Sequence, residues 1–211
     1  MGMIGFFQKG GLFMYPILLV FVAGMAITIE RWLQLNRVRN ENRRMWNVLD
    51  PLLSKGEFDK ARSIINNDKS TISQMLGMGL ARMGVVRRRE DIEIAMEESM
   101  MEIIPQLERR TPYVALLSNI ATLLGLLGTI MGLIEAFTAV SSANPAEKAD
   151  LLSASISVAM NTTAFGLMAA IPLLLFHAKL TSTTGQIVDS LEMASVKSLN
   201  TISNFTKLQF G

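Results

Sequence analysis

The dominant pattern in this chain is the alternation of long uncharged apolar runs with polar segments. Three runs carry no charged residue and are 18, 24 and 26 residues long: Leu12–Ile29, Thr111–Ile134 and Leu151–Phe176. A helix of about 20 apolar residues crosses a hydrocarbon core of about 30 Å. The pattern therefore predicts three transmembrane helices, at residues 12–30, 111–140 and 151–178.

The polar segment between the first two runs shows helical periodicity. In residues 57–66 and 90–108, apolar side chains recur every three or four positions among charges, as in amphipathic helices. Polar breaks interrupt this pattern at Ser54–Gly56 and Asn66–Asp68. We therefore expect a mostly helical insert over residues 31–110.

The remaining polar segments are a turn and a tail. Residues 141–150 form a connection so short that the second and third spans must be an antiparallel hairpin. Residues 179–211 carry a weak amphipathic pattern and are expected to continue the third helix as a helical tail. Its apolar positions are Ile187, Leu191, Ala194, Leu199 and Ile202.

Composition narrows the chemistry that this chain can perform. Half of its 211 residues are apolar and 18% are charged, against about a quarter in an average soluble domain, which argues against a soluble enzyme. The absence of cysteine excludes thiolate catalysis and disulfides. With His177 as the one histidine, we expect no metal site, no cofactor and no catalytic residues. His177 ends the third run, where it fits an interfacial anchor better than a proton relay.

Basic residues predict the topology. Fifteen of the 20 lysines and arginines lie in residues 31–110, which places the insert in the cytoplasm by the positive-inside rule. Residues 1–11 and 141–150 are then periplasmic and the tail is cytoplasmic. The first run is longer than a signal-peptide core and ends in Glu30–Arg31, so we expect it to stay as a membrane helix.

A stripe of small and hydroxyl residues follows one face of the second span. Its members alternate in spacing between four and three: Ser118, Thr122, Gly125, Thr129, Gly132, Ala136 and Ala139. Such a stripe allows close helix packing in lipid, and it equally suits the wall of a hydrated path. The spacing does not choose between these interpretations.

Polar side chains also occur inside the third span. Asn161, Thr162 and Thr163 lie near its middle, where unpaired polar groups cost several kcal/mol. Hydroxyls can bond back to their own helix, so Asn161 is the residue that demands a partner beyond it. Pro172 frees a carbonyl group one turn earlier and can kink the inner half.

No acid, lysine or histidine lies in the middle of a span. Glu135 lies near the outer end of the second, either as a solvated interfacial acid or as a mouth residue of a path. Proton transfer through membranes normally uses titratable side chains. If protons pass here, the titrating group must come from another polypeptide.

The hairpin sequence resembles a known family. The stretch Arg110–Phe137, above all Leu-Gly-Leu-Leu-Gly-Thr-Ile-Met-Gly at 124–132, resembles the second transmembrane helix of the MotA/TolQ/ExbB proton-channel family. Thr163–Pro172 is similar to that family's third helix. Three spans with an outer N-terminus fit the ExbB and TolQ branch, which acts in the bacterial inner membrane.

The resemblance implies a homo-pentamer around a pore. The pore would hold a dimer of a single-span partner like ExbD or TolR, whose aspartate carries the ion past Thr129 and Thr163. The motor would use the proton motive force to energise outer-membrane transport or maintenance through a protein like TonB or TolA. We assign Thr162, Asn161 and Thr122 to the same ion pathway. The residues assigned to helix packing are Gly125, Gly128, Gly132, Gly166 and Pro172.

One departure from the family pattern bears on the ion. Members often carry a glutamate five residues before the third-helix threonine, and here that position is Val158, while Thr162 adds a hydroxyl. Protons are the default ion for this branch. A missing acid and an added hydroxyl also suit Na⁺, which prefers oxygen ligands. The alternative from another class is a membrane scaffold that conducts no ions.

Overall fold

The computed structural model describes residues 11–83 and 88–210 of the chain. Within these residues the chain is helical almost throughout, as the sequence pattern predicts. Six helices follow one another: α1 Met14–Ser54, α2 Phe58–Asn66, α3 Thr71–Arg82, α4 Arg89–Glu108, α5 Thr111–Ser142 and α6 Lys148–Phe210. The expected N-terminal segment 1–11 lies, except for Gly11, outside the described residues.

Three helical stretches are long and apolar enough to cross a membrane. They lie in Met14–Ser54, Arg89–Ser142 and Lys148–Phe205, with mean hydropathies of 1.7, 1.9 and 1.7 in their most apolar windows. The prediction of an all-helical protein with three spans is confirmed. The sides of the membrane on which the connecting segments lie stay predictions.

The helix ends differ from the segment boundaries drawn from the sequence. α1 continues from the first span as far as Ser54. α6 is 63 residues long and is not interrupted at Pro172. Between α5 and α6 the connection shortens to residues 143–147. The run of α6 beyond residue 178 agrees with the expected helical tail. The boundary at residue 30 marked a loss of apolar character, whereas a helix ends where its backbone hydrogen bonds end.

The described residues form two compact units. The membrane unit comprises residues 11–31 and 110–179, and the insert unit comprises residues 32–83, 88–109 and 180–210. In the membrane unit, α1 packs against α5 and α6 through Ile17, Ala121, Ala169 and Ala170, all buried. Large apolar side chains cover its outside, such as Leu19 and Leu175 at 70% and 68% exposure. Lipid or further protein chains must cover such a surface.

The insert unit has its own core. Met75 and Met96, on α3 and α4, are completely buried. The five apolar positions of the tail pattern are also buried, so that face of α6 belongs to this core. Asn42 of α1 receives a hydrogen bond from the Ile72 backbone amide (3.2 Å) and donates one to the Thr71 hydroxyl (2.7 Å). These bonds hold the N-terminus of α3 against α1.

Candidate functional site

Glycines bring the backbones of α5 and α6 into contact. A Cβ atom on Gly166 would lie 2.8 Å from the Ala121 carbonyl oxygen, and one on Gly125 would lie 3.3 Å from the Gly166 Cα atom. Further along, a Cβ atom on Gly132 would lie 2.9 Å from the Ala159 Cβ atom. Small residues permit this approach of two helices in lipid, where packing replaces the hydrophobic effect.

The hydroxyls of Thr129 and Thr163 meet at this contact. Their Oγ1 atoms are hydrogen-bonded to each other across α5 and α6. Thr163 also donates to the Gly125 carbonyl oxygen (2.9 Å), and Thr129 lies 3.2 Å from the Ala159 carbonyl oxygen and 3.3 Å from that of Gly125. Both side chains are half-buried, so the pair lies at the edge of the contact, where another molecule can reach it.

The Thr129–Thr163 pair has more hydrogen-bond acceptors within reach than hydroxyl protons to donate. Two hydroxyls supply two protons, and the contacts with each other and with two carbonyl groups already use both. Each hydroxyl oxygen carries two lone pairs. In this arrangement the Thr129–Thr163 pair can accept a hydrogen bond from a visiting donor. To donate one, it must give up one of its present hydrogen bonds.

The other residues assigned to the pathway lie apart from the pair. Thr162 is buried, lies against Gly128 and donates to the Val158 carbonyl oxygen (3.0 Å). Asn161 precedes Thr163 by two positions and therefore points about 200° away around α6. Thr122 is exposed on α5 and is hydrogen-bonded to the Ser118 carbonyl oxygen (3.2 Å). The structure thus brings together Thr129 and Thr163 from the five assigned residues.

The stripe on α5 has a mixed role. Ser118 is fully buried and donates to the Ala170 carbonyl oxygen of α6 (2.7 Å), and Ala136 is fully buried. With the glycine contacts, these residues support the packing interpretation for most of the stripe. Thr122 and Thr129, at its edge, are open to a path.

The remaining sequence candidates lie outside this contact. Glu135 is exposed near the end of α5, and Pro172 is half-buried within an unbroken α6. Gly128 contacts both Thr162 and Phe13, so it serves packing among all three spans. Within the described residues, no group of three or more His, Asp or Glu side chains could hold a metal ion.

One feature of the membrane unit was missed from the sequence. Arg110 Nη1 and Glu30 Oε1 lie 2.6 Å apart and join the end of the first apolar run to the start of the second. Arg110 has a φ of 65°, the left-handed conformation, and is the one non-glycine among the described residues to adopt it. The sequence signal that could have revealed this ion pair is the presence of opposite charges, Glu30 and Arg110, at the borders of the first two spans. The neighbouring Arg31 is buried, at 2% exposure.

The model of the MotA/TolQ/ExbB proton channel family matches residues 67–193. This is more than half of the chain, and it includes the whole Thr129–Thr163 contact. The chain belongs to this family. The family is one of channel proteins rather than enzymes, and its match agrees with three membrane-crossing helices in a multi-pass inner-membrane protein.

Individual relatives point to the ExbB and TolQ branch of the family. The ExbB-like 1 biopolymer transport protein of Synechocystis sp. is 30% identical over 190 residues, covering 87% of this chain and 72% of its own. The Tol-Pal system protein TolQ of Haemophilus influenzae is 36% identical over 41% of this chain and 37% of its own. The biopolymer transport protein exbB1 of Vibrio cholerae is 46% identical over 27% of this chain and 25% of its own.

Proposed function

We propose that the chain is the channel-forming subunit of an ExbB- or TolQ-type motor. In this role it uses the proton motive force of the inner membrane to energise outer-membrane transport or maintenance. The observation that carries the proposal is the half-buried Thr129–Thr163 hydroxyl pair on two apolar helices. The family match and the names of the relatives support the same function.

The working form we propose is a pentamer around a dimer of an ExbD- or TolR-like partner, with its N-terminus periplasmic. A TonB- or TolA-like protein would receive the work. Large apolar side chains remain exposed beside the threonine pair, including Leu126 on α5 and Leu167 on α6. A partner helix would cover them and bring its aspartate to the hydroxyls.

The hydroxyl pair distinguishes the two protonation states of that aspartate. A neutral carboxyl group donates a hydrogen bond, which the pair can accept with its present bonds intact. A carboxylate needs a donor, so one threonine must turn its proton away from the other threonine or from the Gly125 or Ala159 carbonyl group. A bare carboxylate in hydrocarbon is very costly, so the aspartate would leave the pair for the apolar surroundings in its neutral form.

Protons are the ion that we propose, with sodium as the alternative. The sodium argument rests on the added Thr162 hydroxyl and on Val158 in place of an acid. Because Thr162 is bonded to the Val158 carbonyl group away from the pair, it adds no ligand there. The two paired hydroxyls and their carbonyl partners are the oxygen set that Na⁺ would use.

The experiment replaces Thr129 or Thr163 by valine, which keeps the shape and deletes the hydroxyl. In liposomes that hold the chain with its single-span partner, we expect each variant to lower proton flux at least about tenfold, because a hydrogen bond to a charged group is worth about 1.5–3 kcal/mol. Repeating the assay with a sodium gradient identifies the ion.

Thr138→Val is the matched control, because Thr138 is exposed on the same helix and donates to its own Ile134 carbonyl group (2.8 Å). We expect wild-type flux from it. Wild-type flux in both Thr129→Val and Thr163→Val, with the complex intact, would refute the pathway. No flux above the lipid background in the wild-type complex would instead favour the non-conducting scaffold, which the glycine contacts between α5 and α6 also suit.

A further inference from the structure

The exposed surface of α5 carries an amide that the proposed pathway does not use. Asn119 lies eight residues after the start of α5, inside the uncharged run 111–134, and is exposed. Its side chain has no hydrogen bond to any described residue, 11–83 or 88–210. An amide left unpaired in hydrocarbon costs several kcal/mol. A threonine avoids this cost by bonding back to its helix, as Thr122 does.

Asn119 lies on the same side of α5 as the threonines. Ser118, Gly125 and Gly132, spaced by seven residues, all contact α6. Thr122 and Thr129 each follow a member of this series by four positions and share one flank. Asn119 precedes Thr122 by three positions, so their side chains are neighbours on the helix surface.

The opposite flank of α5 faces α1. Gly128, three positions after Gly125, lies against Phe13 as well as Thr162. Ala121, three positions after Ser118, belongs to the core shared with Ile17 of α1. Asn119, Thr122 and Thr129 therefore form a polar line on the flank of α5 that faces away from α1. Asn119 and Thr122 are exposed, and Thr129 lies at the border with α6.

The line leads from the threonine pair towards the start of α5, which Arg110 precedes. Asn119 is ten residues from Thr129, about 15 Å along the helix axis. A carboxyl group held at Thr129 cannot reach it, and Leu126, which is 53% exposed, lies between them. An ion path from the pair to Asn119 would therefore need a mobile polar carrier over this distance, which at this depth means water or a hydrated cation.

We propose that the Asn119 amide is a water-binding site at the cytoplasmic exit of the ion path. Its oxygen accepts and its NH₂ group donates hydrogen bonds. It therefore holds a water molecule that accepts the proton released by the partner's aspartate through intervening water, or that joins the hydration shell of a released Na⁺. This proposal rests on the proposed function, and it adds a site that neither the threonine pair nor the family match assigns.

Cysteine accessibility tests the site directly, because the chain contains no cysteine. Single variants Asn119→Cys, Thr122→Cys and Leu127→Cys are made in the full chain, and inside-out membrane vesicles are treated with a charged, membrane-impermeant methanethiosulfonate. Leu127 is 43% exposed and faces away from the threonines, at about 140° around α5 from Thr122 and about 160° from Thr129. We expect Asn119→Cys and Thr122→Cys to react at least about tenfold faster than Leu127→Cys, because thiols in lipid are not hydrated.

Ion flux tests the role of the site. In liposomes with the single-span partner, we expect Asn119→Leu to lower flux about tenfold, the effect of removing roughly 1.4 kcal/mol of stabilisation along the path. We expect Asn119→Ser, which restores a hydrogen-bonding group, and the control Leu127→Ala to keep most of it.

Three results would overturn the proposal. They are equal reactivity of Asn119→Cys and Leu127→Cys, a disulfide between copies of an otherwise inert Asn119→Cys, and full flux through Asn119→Leu. The disulfide would identify Asn119 as a contact between subunits. Failure of the proposed function shows differently, as normal flux in Thr129→Val and Thr163→Val whatever the reactivity of Asn119→Cys.

Discussion

Single side chains fix the start of α3 in the insert unit. Asp68 accepts hydrogen bonds from the Ser70 backbone amide (2.9 Å) and from the Ser70 hydroxyl. Ser70 caps the helix by accepting from the Ser73 backbone amide (3.4 Å). Burial by itself raises the pKa of Asp68, but the hydrogen bonds from Ser70, Ser73 and Lys69 outweigh it and hold that pKa below its usual range.

This lowered pKa predicts a pH dependence. Because the folded state favours the ionised carboxyl group, Asp68 contributes its full stability above the ordinary aspartate pKa of about 4. That contribution is lost as the pH falls from about 4 through the lower folded pKa. In detergent, we expect Asp68→Asn to be less stable than wild type at pH 7 and the difference to shrink below pH 4, measured by thermal unfolding. A gap that is constant from pH 7 to pH 2 would contradict this.

The cap gives a second prediction at the same scale. We expect Ser70→Ala to cost about 1 kcal/mol, the usual value for a lost N-terminal cap, while Ser70→Thr, which keeps the hydroxyl that bonds Asp68, keeps most of the stability. Chemical denaturation followed by circular dichroism measures both variants. Equal stability of Ser70→Ala and wild type would show that the Ser70 hydroxyl does not stabilise α3.

At the scale of helices, α5 and α6 meet through backbone, whereas α1 and α6 meet through side chains. A Cβ atom on Gly166 would meet the Ala121 carbonyl oxygen at 2.8 Å, and one on Gly24 would meet the Leu173 Cδ2 atom at 2.7 Å. A leucine side chain can change its rotamer, whereas a packed backbone cannot move without separating the helices. The two pairs of helices should therefore differ in their tolerance of an added methyl group.

We expect Gly166→Ala to destabilise the membrane unit by about 1–3 kcal/mol, the usual cost of overpacking. Gly24→Ala should cost less. Gly185→Ala is the control, because nothing lies within 4 Å of its added Cβ atom and alanine favours helix by about 1 kcal/mol. Thermal unfolding in detergent ranks the three, and a Gly166→Ala variant as stable as Gly185→Ala would refute the close backbone contact.

The helices were predictable from the sequence because their signals are local. Charge-free runs gave the spans, and the three- to four-residue spacing gave α2 and α4. The continuation of the third span into a helical tail was predicted. The continuation of α1 past residue 30 was not, since polarity changes there while the backbone hydrogen bonding does not. The site was predicted in part. Thr129 and Thr163 came from the family motif. The directions of Thr162 and Asn161 were not predicted, because they depend on how α6 is rotated about its axis relative to α1 and α5.

At the scale of the whole molecule, the chain lacks an ionisable carrier at the depth of the threonine pair. Residues 111–134 and 151–176 hold no charged side chain. We expect the purified chain alone in liposomes to show no proton flux above the lipid background, and flux to appear when the aspartate-bearing partner is added. Comparable flux with and without the partner would show that the path needs no borrowed carboxyl group.

The hydroxyls that would serve the ion are the same ones that tie two helices together. Thr163 of α6 is bonded to a carbonyl oxygen of α5, and Thr129 of α5 lies within hydrogen-bonding distance of one on α6. In the proposed motor, each time a threonine turned towards a passing carboxylate, a cross-helix tie would open, and it would close again when that proton returned. The site that binds the carboxylate would then also be the site where the contact between α5 and α6 loosens. The subunit that holds the carboxylate at a given moment would therefore be the most easily deformed subunit of the ring.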